Sequence, residues 1–233
     1  MQKSEPARLT KAVFVCIIYV GDDFSMKDSK DIKKDIKIKI CGMTCEEDIQ
    51  IVNEVGADLA GFVMFFPKSR RNLSVGRAAE LAKGLDGVKS VAVVVSPTAK
   101  QIESISDAGF DMIQIHGELS DESYECCDLP ILRAYNVSNI GEFERASEMD
   151  KVCGYVFDAA EPGSGRSFDW TVLKNIPRDG KMMFLAGGLN KDNVSAAIEI
   201  VNPDGVDVSS GVEKKGDGKD RPLCISFVKN ARG

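Results

Sequence analysis

The 233-residue chain has one histidine, one tryptophan and only 7% aromatic residues. It has no C-x-x-C pair, no basic excess and no long apolar run. Each scarcity closes a class of function. The seven cysteines (16, 41, 45, 126, 127, 153 and 224) are odd in number and follow no disulfide spacing, and without a C-x-x-C pair the lone His116 cannot complete a zinc site. They read as small apolar thiols in a reducing cytoplasm. Lys plus Arg is 30 against 36 Asp plus Glu, a net charge of −6, the wrong sign for a nucleic-acid binder. The longest apolar run of the N-terminal region, Ala12 to Val20, falls far short of the roughly 20 residues that cross a bilayer. No partner in nucleic acid or membrane is expected.

What is present is an apolar fraction of 43%, enough for a full core without staples. The first 35 residues are unlike the rest. Arg8 and Lys11 precede the apolar run, as in a signal peptide, but Gly21-Asp22-Asp23-Phe24 is a poor cleavage site. An added strand or arm, a weak targeting segment, and a misread start with translation beginning at Met26 all fit, and the last is preferred because of the break in composition. The expected organisation is therefore a 1–35 extension and a 36–233 catalytic domain.

From residue 36 onward, short β-branched runs alternate with segments of helical periodicity. The runs are Ile36–Ile40, Leu59–Met64, Val88–Val95, Met112–Ile115, Ile131–Ala134, Gly154–Phe157, Met182–Leu185 and Gly205–Val208. They are continuously apolar, as strands are when both faces of a parallel sheet are covered. Helical spacing runs through Asp48–Val55, Ala78–Ala82 and Val194–Ile200, with Gly56, Gly84 and Gly109 as helix stops. Eight such repeats predict a (β/α)8 TIM barrel, and an open doubly wound sheet is disfavoured by the missing G-x-G-x-x-G turn after the first strand.

On that fold, function sits just past the carboxyl end of each strand. There the chain places Cys41-Gly42, then Pro67-Lys68-Ser69-Arg70-Arg71, Gln114-Ile115-His116-Gly117 and Asp158. A glycine-rich loop through Gly165 follows, then Ala186-Gly187-Gly188 and Asp207-Val208-Ser209-Ser210-Gly211. Gly187 and Gly188 let backbone amides approach an anion, and Ser209, Ser210 and Gly211 add hydroxyls and amides, so the last two loops predict a phosphate site. A tight turn and a helix cap are the structural alternatives. A thiol at Cys41 and a carboxyl at Asp158 across a barrel mouth can serve as base and acid. With no metal constellation and no lysine ending a strand to form a Schiff base, a proton-transfer reaction without cofactor is expected.

Lys39-Ile40-Cys41-Gly42-Met43-Thr44 resembles the opening strand of the phosphoribosylanthranilate isomerases of tryptophan biosynthesis. The resemblance continues in order through Gly61-Phe62-Val63, Pro67–Arg71, Gln114–Gly117, Phe157-Asp158 and Gly163-Ser164-Gly165. It extends over Phe168-Asp169-Trp170, Ala186–Leu189 and Val206–Glu213, and covers about residues 36–233. Ala186, where Ser is common, and Asn72, where an aromatic is common, depart from the pattern. The resemblance implies an Amadori rearrangement of N-(5′-phosphoribosyl)anthranilate to the corresponding aminoketose. It implies Asp158 as general acid, Cys41 as general base, and Arg71 on the anthranilate carboxylate. Gly165, Gly187, Gly188, Ser209, Ser210 and Gly211 would surround the phosphate, with Asp207 bonding the sugar and His116 shaping the pocket or touching substrate. The implied enzyme is cytoplasmic, a monomer or homodimer, with a small phosphorylated substrate as its partner. A related aminoaldose isomerase of histidine synthesis, with a carboxylate in place of Cys41, a non-catalytic phosphoribosyl sensor and a redox or metal role for the cysteines are the rivals.

Overall fold

A computed structural model describes residues 35–136, 146–158, 169–174, 176, 178–215 and 218–233. Residues 1–34 of the expected extension, the proposed start at Met26 and Gly165 lie outside the described residues. Lys34–Gly233 forms one compact unit.

Nine strands are described: β1 Lys37–Cys41, β2 Leu59–Met64, β3 Asn72–Leu73, β4 Lys89–Val95, β5 Met112–His116, β6 Ile131–Asn136, β7 Val152–Asp158, β8 Met182–Leu185 and β9 Gly205–Val208. Their order is β1-β9-β8-β7-β6-β5-β4-β2, and a β1–β2 pairing closes the ring into an eight-stranded barrel. All the pairings are parallel. The two-residue β3 sits outside the ring, alongside the end of β2. The predicted runs fall within two residues of the strands throughout, and those at 59–64, 182–185 and 205–208 match to the residue.

The helices are α1 Glu46–Glu54, α2 Val75–Ala82, α3 Ala99–Asp107, α4 Asp121–Glu125, α5 Val194–Val201 and α6 Arg221–Arg232. Their local causes are plain in the sequence. Thr98 and Gln101 form a reciprocal capping box at the start of α3, and Asp220 caps α6 ahead of Pro222 in its first turn. Gly56 and Gly109 follow their helices in the left-handed region, at φ +64° and +79°. Gly84 does not adopt it. There a side chain would meet Ile49 at 3.2 Å, so close packing against α1, not a left-handed cap, favours glycine.

Strand alternation sorts the buried residues into two sets. Outward-facing side chains such as Ile38, Ile40, Phe62, Ile113 and Phe157 pack with the helices. Inward-facing ones, including Leu59, Val91, Val93, Leu132, Val156 and Phe184, fill the barrel and are packed by Cys41.

Candidate active site

The inward face of β1 reads Lys39 then Cys41, two residues apart. Its neighbour β9 is registered so that Lys39 faces Asp207. The Lys39 ammonium donates to Asp207 Oδ2 at 2.7 Å, with both groups buried. The second Asp207 oxygen, Oδ1, is buried with no hydrogen-bond partner among the described residues. A buried carboxylate oxygen without a donor is costly and calls for an explanation. It is an acceptor on the inward face of the barrel.

Cys41 ends β1. Burial pushes its thiol above the ordinary range; the Lys39 ammonium opposes that, Asp207 adds to it, and Lys219 opposes it again. The resting group is therefore a thiol, with two ammonium groups placed to favour the thiolate when it forms. Asp158 ends β7 two residues past Val156, which faces the barrel interior, so alternation gives Asp158 the inward face as well. The two proposed proton-transfer groups are thus the last residues of their strands, at the same end of the same parallel barrel.

On β5, Gln114 and His116 share the inward face with Met112. Their side chains meet at 2.8 Å, Gln114 Nε2 to His116 Nε2. Desolvation, then the charges of Lys39 and Arg133, lowers the His116 pKa to about 4. The imidazole is therefore neutral at physiological pH. Gln114 Oε1 is a further buried acceptor with no partner among the described residues.

The loops after β8 and β9 are built against each other. A Cβ on Gly211 would lie 2.0 Å from the Leu189 carbonyl oxygen, so only glycine permits this approach. Gly187 and Gly188 both take positive φ, +84° and +66°. Asn193 pins that loop, donating to the Gly188 carbonyl at 3.0 Å and accepting from the Asn190 amide at 2.8 Å. Ser210–Val212 forms a 3-10 turn, whose first amides have no acceptor within the turn itself. The Ser209 hydroxyl does not cap this turn. It donates instead to the Cys41 carbonyl at 2.9 Å, tying β9 to β1, so an anion here would meet Ser209 through its backbone.

Arg71 reaches the same rim from the loop after β2. Its Nε and one terminal nitrogen donate to the two Glu213 oxygens at 2.6 and 2.7 Å. Glu213 also accepts from Lys219 at 2.9 Å and pairs with Arg70. Although burial works against it, the hydrogen bond from Arg71 and the charge of Lys219 hold the Glu213 carboxyl at a pKa of about 2.

A model of the N-(5′-phosphoribosyl)anthranilate (PRA) isomerase family matches residues 38–230. The chain is 38% identical over 204 residues to the N-(5′-phosphoribosyl)anthranilate isomerase of Aquifex aeolicus, covering 84% of this chain and 98% of the relative. The chain belongs to the phosphoribosylanthranilate isomerase family. Solved structures agree. Monomers generated from the dimeric phosphoribosylanthranilate isomerase of Thermotoga maritima superpose with a TM-score of 0.73 at 35% identity, over 85% of this chain and 99% of theirs. A phosphoribosylanthranilate isomerase in complex with reduced 1-(o-carboxyphenylamino)-1-deoxyribulose 5-phosphate gives the same TM-score of 0.73 and 35% identity, with coverage of 85% and 99%.

Set against the family's chemistry, the structure brings Cys41, Asp158, His116 and Asp207 to the inward face of the barrel. Gly187, Gly188, Ser209, Ser210 and Gly211 line two abutting loops at its mouth. Four polar residues of the site receive no role in a reading of strand ends: Lys39 and Lys219, which lie outside those segments, and Gln114 and Glu213, which lie within them. Lys39 and Gln114 lie one inward position below the ends of their strands, and their parity with Cys41 and His116 is the signal that finds them. Nothing local distinguishes Lys219, in a polar stretch before α6, yet it is fully buried.

Proposed function

We propose that the chain carries out the family's Amadori rearrangement of N-(5′-phosphoribosyl)anthranilate with Asp158 as general acid and Cys41 as general base. One observation supports this above the others: the thiol and the carboxyl end two strands of one parallel barrel, both on the inward face, at the rim that also holds the paired glycine-rich loops. Asp158 protonates the furanose ring oxygen, and the ring opens to a protonated Schiff base. Cys41 then removes the proton from C2′, leaving an enolamine that tautomerises to the ketone. The charges of Lys39 and Lys219 offset part of the burial that disfavours the thiolate.

The phosphate rests on the backbone of Gly187, Gly188, Ser209, Ser210 and Gly211. Asp207 Oδ1 accepts from a sugar hydroxyl, which would satisfy its missing hydrogen bond. Neutral His116 walls the pocket. Arg71 binds the anthranilate carboxylate with its planar fork. The substrate partner is thus a small phosphorylated arylamine, handled by a monomer or a homodimer. Among the described residues no helix is long and apolar enough to cross a membrane. Six described cysteines are free thiols, which suits a reducing cytoplasm.

The test is turnover by the purified chain, followed by loss of substrate fluorescence. The expected result is conversion of N-(5′-phosphoribosyl)anthranilate to the aminoketose without added metal or cofactor. Binding without conversion would mark a sensor, and preference for the aminoaldose of histidine synthesis would mark the neighbouring isomerase. An Arg71→Ala variant should raise KM by more than it lowers kcat, and an unchanged KM would remove the carboxylate role.

A further inference from the structure

The mechanism above uses Arg71 but not the residues that hold it. Its seat is assembled from two parts of the chain far from it in sequence, the turn at Gly42 and the segment from Glu213 to Lys219. The arginine stem passes over Gly42, where a Cβ would come within 2.3 Å of Arg71 Cδ. Its guanidinium lies in a two-pronged contact with Glu213, whose side chain is 5% exposed. Glu213 is gripped from behind by Lys219, which is fully buried.

Lys219 is fixed in turn. Its ammonium donates to the Cys41 carbonyl at 2.5 Å, and its amide donates to Asp48 Oδ1 at 2.6 Å. Asp48 is anchored by the amide and hydroxyl of Thr44, each at 2.8 Å. One polar chain therefore runs from Arg71 through Glu213 and Lys219 to the backbone of the residue assigned as the base.

We propose that Glu213, clamped by Lys219, is a positioning residue that holds the Arg71 guanidinium in register with Cys41, so that the substrate's aryl carboxylate meets a pre-set fork. The inference rests on the proposed reaction and on the role given to Arg71. The opposite possibility is that Glu213 imitates the substrate carboxylate and must be displaced. Burial argues against it. A displaced Glu213 would leave two buried charges, its own and that of Lys219, to be matched anew, and breaking a buried pair is strongly unfavourable. A guanidinium has five N–H donors, so one edge can stay on Glu213 while the other meets a ligand. Glu213 also stays ionised through any working pH, with a pKa of about 2.

The experiment compares two ligands on the full chain: reduced 1-(o-carboxyphenylamino)-1-deoxyribulose 5-phosphate, and its counterpart without the aryl carboxylate. Glu213→Gln should weaken the carboxylated ligand by roughly 10- to 100-fold, the scale of a charge-assisted hydrogen bond. It should change the other by less than about threefold and raise KM more than it lowers kcat. Combined with Arg71→Ala, it should add little further loss, since it acts through that arginine. Tighter binding in Glu213→Gln would overturn the proposal in favour of an inhibitory clamp. Equal weakening of both ligands would overturn it in favour of a general structural role. If Glu213→Gln does not fold, Glu213→Asp carries the same comparison, because a carboxylate withdrawn by one methylene should also penalise only the carboxylated ligand. A wild-type chain that binds neither ligand would instead refute the proposed reaction.

Discussion

Along β1, side chains alternate between two different interiors. Ile38 and Ile40 face outward into a layer of Val, Ile, Leu, Phe and Ala shared with the helices. Lys39 and Cys41 face inward, where nine buried apolar residues share the space with Lys39, Gln114 and Asp207. Where a charge enters the outer layer, as Arg133 does, its guanidinium is met by the carbonyls of Ile115 and Gly117 at 2.7 and 2.8 Å. Inside the barrel, Asp207 and Gln114 each keep a buried acceptor without a partner among the described residues. The guanidinium in the outer layer is satisfied by the protein alone. The inner carboxylate and amide each present an acceptor that a donor on a ligand could meet.

The sharpest way to break this contrast is to alter the inside without harming the fold. Cys41→Ser and Asp158→Asn should each lose roughly 10²–10⁴-fold in kcat, with urea midpoints near that of the wild type. Near-normal turnover in either would remove the assignment. The outer layer should answer in the opposite way. Ile40→Ala, one residue from Cys41 but facing outward and fully buried, should cost about 2–5 kcal/mol in urea unfolding while kcat at a permissive temperature stays close to normal. If it lost activity without losing stability, the two interiors would not be functionally separate.

A subtler effect concerns pH. His116 is held at a pKa of about 4, below its ordinary 6.5, so between these values the unfolded chain takes up the proton first. Stability should therefore fall as pH drops from about 6.5 through about 4, and this contribution should be flat above 6.5. Because the chain has one histidine, His116→Gln should flatten that part of the urea-midpoint profile. An identical slope in the variant would show that the imidazole is not buried neutral. The smallest effect belongs to the periphery: Thr98→Ala removes the α3 capping box and should cost about 0.5–2 kcal/mol with no change in kcat or KM.

Much of this architecture is legible one segment at a time. Continuous apolar runs such as Leu59–Met64 and Met182–Leu185 declare parallel strands, and the residue after each run marks the rim. That is why Cys41, Asp158 and the Gly187-Gly188 and Ser209-Ser210-Gly211 loops stand out in the sequence. Ser209 shows where such reading stops. Its hydroxyl looks available for phosphate but donates to the Cys41 carbonyl, 168 positions away. The family resemblance likewise implies that Arg71 meets a substrate carboxylate, and in the fold it already grips Glu213, 142 positions away. Lys219 carries no local mark at all, since its burial comes entirely from where Asp48, Cys41 and Glu213 converge.

Taken alone, the sequence determined the eight-strand barrel, its order and the residues at its rim, because apolar period, turn glycines and helix caps act over a few neighbouring positions. It could not determine which charges meet. Lys39 with Asp207, and Arg71 with Glu213 and Lys219, become partners only when β9 closes beside β1. Closure joins the two ends of the barrel, and no local pattern specifies a hydrogen bond across that distance.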